Sequence, residues 1–530
     1  MKKLFKQYLF PALLIGIMLC GTMFGGCAGG KTTQGNTNTS SGGGAPSEES
    51  AKANDYLSRT VATYENINDK TVQVHTFFME AGYVTDNPNF SQAVMVYQAI
   101  AYKKAHPEEH VTVTLTSFHL SVAFAACVVP GSAHYGDVKN LYNEEYTADG
   151  YYRLSYLLVK AAKYGIETLV VGQIDASAVY YNGVLTNDLS FKAYFEGHLD
   201  DEAYITDKKV SDYMTFGFSA WKSYGDKQAS DMMHNKTCTV SHRRNSKGED
   251  LGPAIWTGSI NVDGIHEDGR NGHDSLQTAT VITEHEEMRR VVYNYTKLLI
   301  AYSGQEDIVP FRVEVSGRAT AQIDALERGE TVASDEQIVY LGTEKDTVFE
   351  LYFTPFGGNF GEWNAKYNPY VKYISKLRDT AKTDDYIEFF WNNVKYNEEF
   401  ELGKMILDCL QKSFINSANK KNILYLFLPY ADLTRYNALK AGVNLEQKHV
   451  VPATKALHIK DLQLSYVENG ERYWISMFNS LNMHEGSMYH QSNTMVVVKE
   501  SKATGNRLYI DYATLTAPEI NMRARFVEKA

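Results

Sequence analysis

Residues 232–261 read MMHNKTCTVSHRRNSKGEDLGPAIWTGSIN. The stretch carries His234-x-Lys236, then Ser241 five positions after the lysine, then Gly258-Ser259-x-Asn261. The same grammar returns far downstream. There His458-x-Lys460 is followed by Ser465, again five positions on, and by Asn479-Ser480-x-Asn482. One H-x-K is noise in a chain of 530 residues. Two copies, each trailed by a polar residue five positions after the lysine and then by S-x-N, make an internal repeat, and repeats decide architecture before any single element does.

The elements around the two copies follow one order. In the first half, residues 71–78 (TVQVHTFF) predict a strand, 90–106 a helix ended by Pro107, and 110–121 a strand alternating at Val111, Val113 and Leu115. Residues 151–164 predict an amphipathic helix closed by Gly165, and 166–172 a buried strand. The His234 strand, a strand at 256–261 and a strand at 278–283 follow. A helix over 284–302 comes next, with Thr283 and Glu286 as its capping box. In the second half, strands are expected at 347–353, 386–390, 423–428, around His458, at 473–478 and at 494–498, with helices at 370–381 and 402–414. An Asn-Pro precedes the first helix in both halves. The expectation is an α/β fold of two duplicated α-β-α lobes with mixed sheets and a site at their pseudo-twofold interface. Residues 61–306 form the first lobe, 307–346 a connector and 347–530 the second.

Composition is that of a globular protein, 44% apolar and 22% charged. A net charge of −11 argues against a nucleic-acid partner, which usually demands a basic excess. The N-terminus reads as a targeting segment over residues 1–26. Lys2 and Lys3 precede the apolar run 10–18, and small residues Gly25 and Gly26 precede Cys27. That arrangement resembles a bacterial lipobox with Phe24 in place of the usual leucine. It implies a lipid on Cys27 and an extracytoplasmic, membrane-anchored protein. Residues 27–60, rich in Gly, Ser and Thr, read as a flexible tether. Cys127, Cys238 and Cys409 give no disulfide framework and no metal spacing. His266, His273, Glu267, Asp268 and Asp274 cluster between glycines and read as a solvated loop.

On a strand, residues i and i+2 face the same way, so each His-x-Lys should project its imidazole and ammonium together. Two such pairs meeting at one interface, with Asn261 and Asn482, would suit a phosphodiester. Fixed cations and amide donors stabilise the charge that develops on phosphoryl oxygens during displacement, and imidazole can serve as nucleophile or as acid.

The doubled pattern resembles the signature of the phospholipase D superfamily, H-x-K-x4-D followed by G-S-x-N, present twice. The resemblance covers most of the chain after the tether. It implies that His234 and His458 are the nucleophile and acid, with family habit favouring His234 as nucleophile, and that a phosphohistidine forms without metal or other cofactor. It implies that Lys236, Lys460, Asn261 and Asn482 bind phosphate, with Ser259 and Ser480 as further donors. The departures are Ser241 and Ser465 where the family has Asp, and Asn479 for the glycine, an exchange that Asn's tolerance of unusual backbone angles would permit. Where the family places an acid to orient histidine, Gln277 and Asn493 stand, with Asp274 near the first. The expected substrate is a phosphodiester, with phospholipid favoured by the membrane anchor. The alternatives are a nuclease of the same superfamily and, from another class, an inactive module that binds phosphate or lipid without turnover.

Overall fold

The computed structural model describes residues 60–79, 89–118, 120, 127–128, 152–173, 180–181, 184–185, 188–221, 232–262, 275–342, 348–359, 361–380, 387–392, 401–416, 423–428, 447–452, 456–482 and 485–516. All lie in one compact unit spanning 45–530. Cys27, the Asn87-Pro88 turn and the cluster from His266 to Asp274 lie outside the described residues.

Two sheets organise the molecule, and they match strand for strand. The first runs Thr60–Ile67, Lys70–Met79, Ser275–Thr283, Ala254–Gly258, Thr237–Val240, Thr112–Ser117, Glu167–Gln173 and Met214–Ser219. The second runs Tyr340–Leu341, Phe349–Thr354, Gln491–Ser501, Glu471–Asn479, Leu462–Glu468, Glu388–Asn392, Ile423–Leu428 and Gln447–Pro452. In each, five antiparallel junctions are followed by two parallel ones. The expected duplication is therefore present in topology, and it includes edge strands on both sides that the sequence did not announce.

The alternation of strand residues separates two cores. Val113, Leu115, Cys238, Val240 and Trp256 point to the face covered by helices Asn89–Ala105 and Leu154–Lys163. Val72, Val74, Ile255 and Ile282 point the other way and join a larger core with the second half. Helix Glu286–Ser303 bridges the halves there, burying Val291, Val292, Tyr295 and Leu299 along one face. Tyr295 stacks on Phe353 with ring centroids 3.7 Å apart and donates from its hydroxyl to Thr354 O at 2.9 Å. Many of the tyrosines are core residues of this kind, among them Tyr64, Tyr352, Tyr370, Tyr373 and Tyr466.

The structure adds detail to three local expectations. The helix expected from 284 begins at Glu286, and its N-cap is His285, whose side chain accepts from Met288 N. Glu284 cannot start the helix because its backbone is left-handed (φ 66°) and its carboxylate is taken by Gly252 N and Arg243. The stretch expected as connector holds a helix, Val309–Glu327, which buries Phe311, Val315, Ala319 and Ile323. Finally, Gly258 and Asn479 are not held in left-handed backbone. Glycine is needed at 258 for space: a Cβ there would stand 2.7 Å from Thr278 O and 2.9 Å from Ala279. Asn479 instead uses its side chain, donating to Lys460 O at 2.9 Å and accepting from Leu481 N at 2.9 Å.

The long links between H-x-K and S-x-N are hairpins, built differently. In the first half a separate ribbon pairs Arg243–Arg244 with Asp250–Leu251. In the second, strands Leu462–Glu468 and Glu471–Asn479 turn through Asn469-Gly470, both left-handed (φ 54° and 80°), the residue pair a tight hairpin favours.

Candidate active site

The two His-x-Lys segments, expected on regular strands, lie between strands instead. Each bridges two sheets. Met232–Met233 pairs in parallel with Gln491 and Ser492 of the second sheet, and His234 N continues that ladder to Ser492 O at 2.9 Å. Three residues later, Thr237–Val240 is inside the first sheet. The second copy reciprocates. Ala456–Leu457 pairs in parallel with Ser275 and Leu276 of the first sheet before Leu462–Glu468 joins the second. The chain therefore exchanges sheets at each histidine.

This crossing decides what each imidazole touches. His234 Nδ1 lies 2.8 Å from Asn493 Oδ1, on the second sheet. His458 Nδ1 lies 2.9 Å from Gln277 Oε1, on the first. Each expected orienting amide therefore serves the histidine of the other half. Asn493 has one amide orientation: its Nδ2 donates to Ser487 O at 3.0 Å and to Thr354 Oγ1 at 3.1 Å. Its oxygen must face the ring, so His234 Nδ1 carries the proton. Ser480 and Ser259 sit behind these amides, 3.4 Å from Asn493 Oδ1 and Gln277 Oε1. Each serine also accepts a strand N–H, from Thr494 at 3.1 Å and Thr278 at 3.0 Å. Their place is to brace the amides, one step removed from the imidazoles.

The lysines behave alike. Lys236 Nζ donates to His234 O at 3.1 Å and Lys460 Nζ to His458 O at 2.6 Å. Both ammonium groups are buried, and folding back on the carbonyl of the preceding histidine fixes each beside its own imidazole. Phe118 flanks the first pair, its ring centre 5.2 Å from that of His234 and 5.5 Å from Lys236 Nζ. Asn261 is buried and Asn482 half-buried at the ends of the S-x-N segments. Strands Ala254–Gly258 and Glu471–Asn479, which lead into those segments, touch one another at the seam.

Ser241 and Ser465, expected to support the site, are not brought to the imidazoles. Ser241 Oγ accepts from Thr112 N at 2.9 Å, at the far end of its strand. Ser465 Oγ accepts from Arg472 at 2.9 Å, within the second hairpin. Serine thus stands in for aspartate in contacts between neighbouring strands.

Four cross-seam residues carry no motif and were not found in the sequence. Asn235 Nδ2 donates to Thr494 Oγ1 at 2.6 Å. From the first half, Thr278 Oγ1 donates to Asp461 Oδ2 at 2.8 Å, two positions further along the second copy of the motif than Asn235 is in the first. Asp461 is fully buried, and that burial pushes its carboxyl up to about 7, against the opposing pull of Thr278, Lys460 and Asn479. Threonine directly following each orienting amide is the one signal that could have pointed to these contacts.

Among the described residues no group of three or more His, Cys, Asp or Glu is arranged to hold a metal ion. Among them, no helix is long and apolar enough to cross a membrane. Cys238 and Cys409 are free and buried, and burial pushes the Cys238 thiol up to about 12.

Fold and seam together define a class: a duplicated α/β protein in which each half sends a histidine and a lysine to the junction of its two sheets. No protein-family model matches the sequence, and no curated protein matches it. Several solved structures match it over most of its length. Phosphatidylserine synthase of Haemophilus influenzae matches 86% of this chain and 87% of its own, at 9% identity and a TM-score of 0.44. Polyphosphate kinase from Porphyromonas gingivalis matches 83% of this chain at 10% identity and a TM-score of 0.39. This chain spans about half the length of that kinase, 49%. Yeast tyrosyl-DNA phosphodiesterase matches 82% of this chain and 91% of its own, at 8% identity and a TM-score of 0.33.

Proposed function

We propose that the seam catalyses displacement at the phosphorus of a phosphodiester through a phosphohistidine, with a membrane phospholipid as the substrate class. The observation that supports this most is the reciprocal pairing of His234 with Asn493 and His458 with Gln277. Holding Nδ1 on an acceptor fixes the ring and turns Nε2 outward, as both a nucleophile and an acid require. In the first step Nε2 of one ring attacks phosphorus, the P–O bond to the leaving group breaks, and the leaving oxygen takes the Nε2 proton of the other ring. In the second, water or an acceptor alcohol attacks phosphorus, the N–P bond breaks, and the other ring takes the proton. Lys236, Lys460, Asn261 and Asn482 would hold the non-bridging oxygens.

A lipid on Cys27 would keep the protein on the outer side of the cell membrane, where phospholipid head groups are within reach of the tethered domain. The net charge of −11 favours lipid over nucleic acid, whose binding needs phosphate neutralisation. Trapping by a denaturing quench at alkaline pH after incubation with a 32P-labelled diester tests the reading. A base-stable, acid-labile adduct is expected in the wild type, and it should be lost from one of His234→Ala and His458→Ala. Phosphatidylcholine, phosphatidylglycerol, cardiolipin and single-stranded DNA offered in parallel would separate lipase from nuclease. Binding of diesters with no adduct and no turnover would favour a binding module instead.

A further inference from the structure

Asn493 aims the His234 ring, and Asn493 must itself be aimed. We infer that Thr354, the last residue of strand Phe349–Thr354, is the positioning residue that fixes this amide and so holds His234 in the tautomer with its proton on Nδ1. Thr354 belongs to neither copy of the doubled motif. The inference rests on the reaction proposed above for its kinetic test alone.

An asparagine amide has an oxygen that accepts and an NH2 that donates, and the two ends are nearly alike in size. With its oxygen toward the ring, Asn493 accepts from Nδ1–H, and the neutral ring keeps its lone pair on Nε2. With its nitrogen toward the ring, it would donate to Nδ1, and the proton would sit on Nε2. In that second state Nε2 has no lone pair with which to attack phosphorus. The lie of one amide therefore decides whether the ring can act as a nucleophile.

A closed circuit of hydrogen bonds decides it. Ser487 O is a carbonyl and can only accept, so the Asn493 atom 3.0 Å from it is the nitrogen. The second proton of Asn493 Nδ2 goes to Thr354 Oγ1 at 3.1 Å. Thr354 can receive it because its own hydroxyl proton is given to another carbonyl, Gln491 O, at 2.7 Å. Gln491 Oε1 accepts from Ser487 Oγ at 2.8 Å, which closes the circuit on the residue whose carbonyl holds Asn493. Thr354, Ser487, Gln491 and Asn493 are all buried. A flip would set Asn493 Oδ1 against Ser487 O and draw the Thr354 proton away from Gln491 O, with no solvent to compensate.

The sheet puts Thr354 in place. Strand register sets it directly opposite Asn493, where side chains of neighbouring strands reach one another. Tyr295, from the helix that bridges the halves, donates to Thr354 O at 2.9 Å and holds the strand end from behind. Of the two acceptors at Asn493 Nδ2, Thr354 is the one that a substitution can remove, since the other is backbone.

Thr354→Val keeps the side-chain shape and deletes the hydroxyl, and Thr354→Ser keeps the hydroxyl. Thr380→Val is the control. That hydroxyl is equally buried and accepts from Val467 N at 2.8 Å, near the hairpin end of the second sheet. With 15N-labelled histidine, and His234→Ala to assign the resonances, wild-type His234 should carry its proton on Nδ1 above neutral pH. Thr354→Val should show the Nε2–H tautomer or a mixture, whereas Thr354→Ser and Thr380→Val should match the wild type. The His234 pKa should also fall in Thr354→Val, because an imidazolium needs an acceptor at Nδ1 that a loosened amide no longer guarantees. On bis(4-nitrophenyl) phosphate, kcat of Thr354→Val should fall about ten- to a hundredfold with KM little changed, the range typical of outer partners of functional histidines. Thr354→Ser should recover it. If Thr354→Val does not fold, Thr354→Cys, whose thiol is only a weak donor and acceptor, should give the same mixture. A wild type already in the Nε2–H form overturns the inference, and so does a folded hydroxyl-less variant whose His234 keeps the wild-type tautomer and pKa. Hydrolysis by none of these proteins would sink the reaction proposed above and leave the tautomers to decide the role of Thr354.

Discussion

The first and second halves share a sheet order, a strand polarity and a crossing, yet they solve the same local problems with different residues. At the turn into S-x-N, the first half has Gly258 because a side chain would collide with Thr278 and Ala279. The second has Asn479, which fills its space and ties the strand to Lys460 O. After the lysine, the first half continues with Thr237, bonded to Thr116 within its own sheet, and the second with Asp461, bonded across the seam. His234 is buried while His458 is partly exposed. Symmetry is thus kept where the imidazoles are oriented and relaxed one residue away. The contacts kept in both copies are those that phosphoryl displacement would need.

The comparison breaks first at the histidines. His234→Ala and His458→Ala should each abolish turnover of an alkyl diester. With a nitrophenyl diester the two should part: the nucleophile variant stays inactive, and the other recovers about a hundredfold of its loss, because its missing proton is no longer required. Steady-state rates on the two substrates, with thermal melts to check folding, decide this. Equal and full recovery of both variants would remove the two-step mechanism.

A smaller effect should separate positions 258 and 479. Gly258→Ala is expected to lose about 1–3 kcal/mol through overpacking. Asn479→Ala should lose a comparable amount, about 1–3 kcal/mol, by leaving the buried Lys460 carbonyl and Leu481 N–H without their partner. The causes differ, so the rescues differ. Asn479→Asp should recover part of the loss through Leu481 N, and Gly258→Ser should recover none. Denaturant midpoints at constant slope would show it.

The smallest effect is one of pH. Asp461 titrates near 7 in the fold, through burial, and near its ordinary value when unfolded. The folded state therefore holds the proton longer, and the carboxyl costs stability progressively as pH rises from about 4 to about 7. Asp461→Asn removes that cost, so its stability relative to the wild type should climb over this window by roughly a few kcal/mol and then level off. A difference constant with pH would mean that Asp461 is ionised throughout.

What could be read in the sequence was local or repeated. Asn368-Pro369 marks a helix start, and Asn368 Oδ1 does accept from Tyr370 N and Val371 N at the head of Pro369–Thr380. Asn469-Gly470 marks a hairpin because few other pairs adopt two left-handed residues in succession. Helix Val309–Glu327 was obscured by its exposed apolar residues, Val309 and Val313, and by Gly317, which blur the stripe formed by Phe311, Val315, Ala319 and Ile323. Strand Thr60–Ile67 reads TVATYENI, too polar at its end to stand out from the tether. The crossing was beyond reach for another reason. A hydrogen bond between residues 234 and 493 depends on the register of a parallel pair only two residues long. Periodicity within either half carries no record of it.

That exchange of strands has a consequence for how the molecule could be taken apart. A nick in the polypeptide between the halves would leave one fragment with His234 but without Asn493, and the other with His458 but without Gln277. Neither piece could aim its own ring, yet the two mixed together would each lend the other the missing prop. Complementation of two inert fragments would then report on this interlocking as directly as any coordinate.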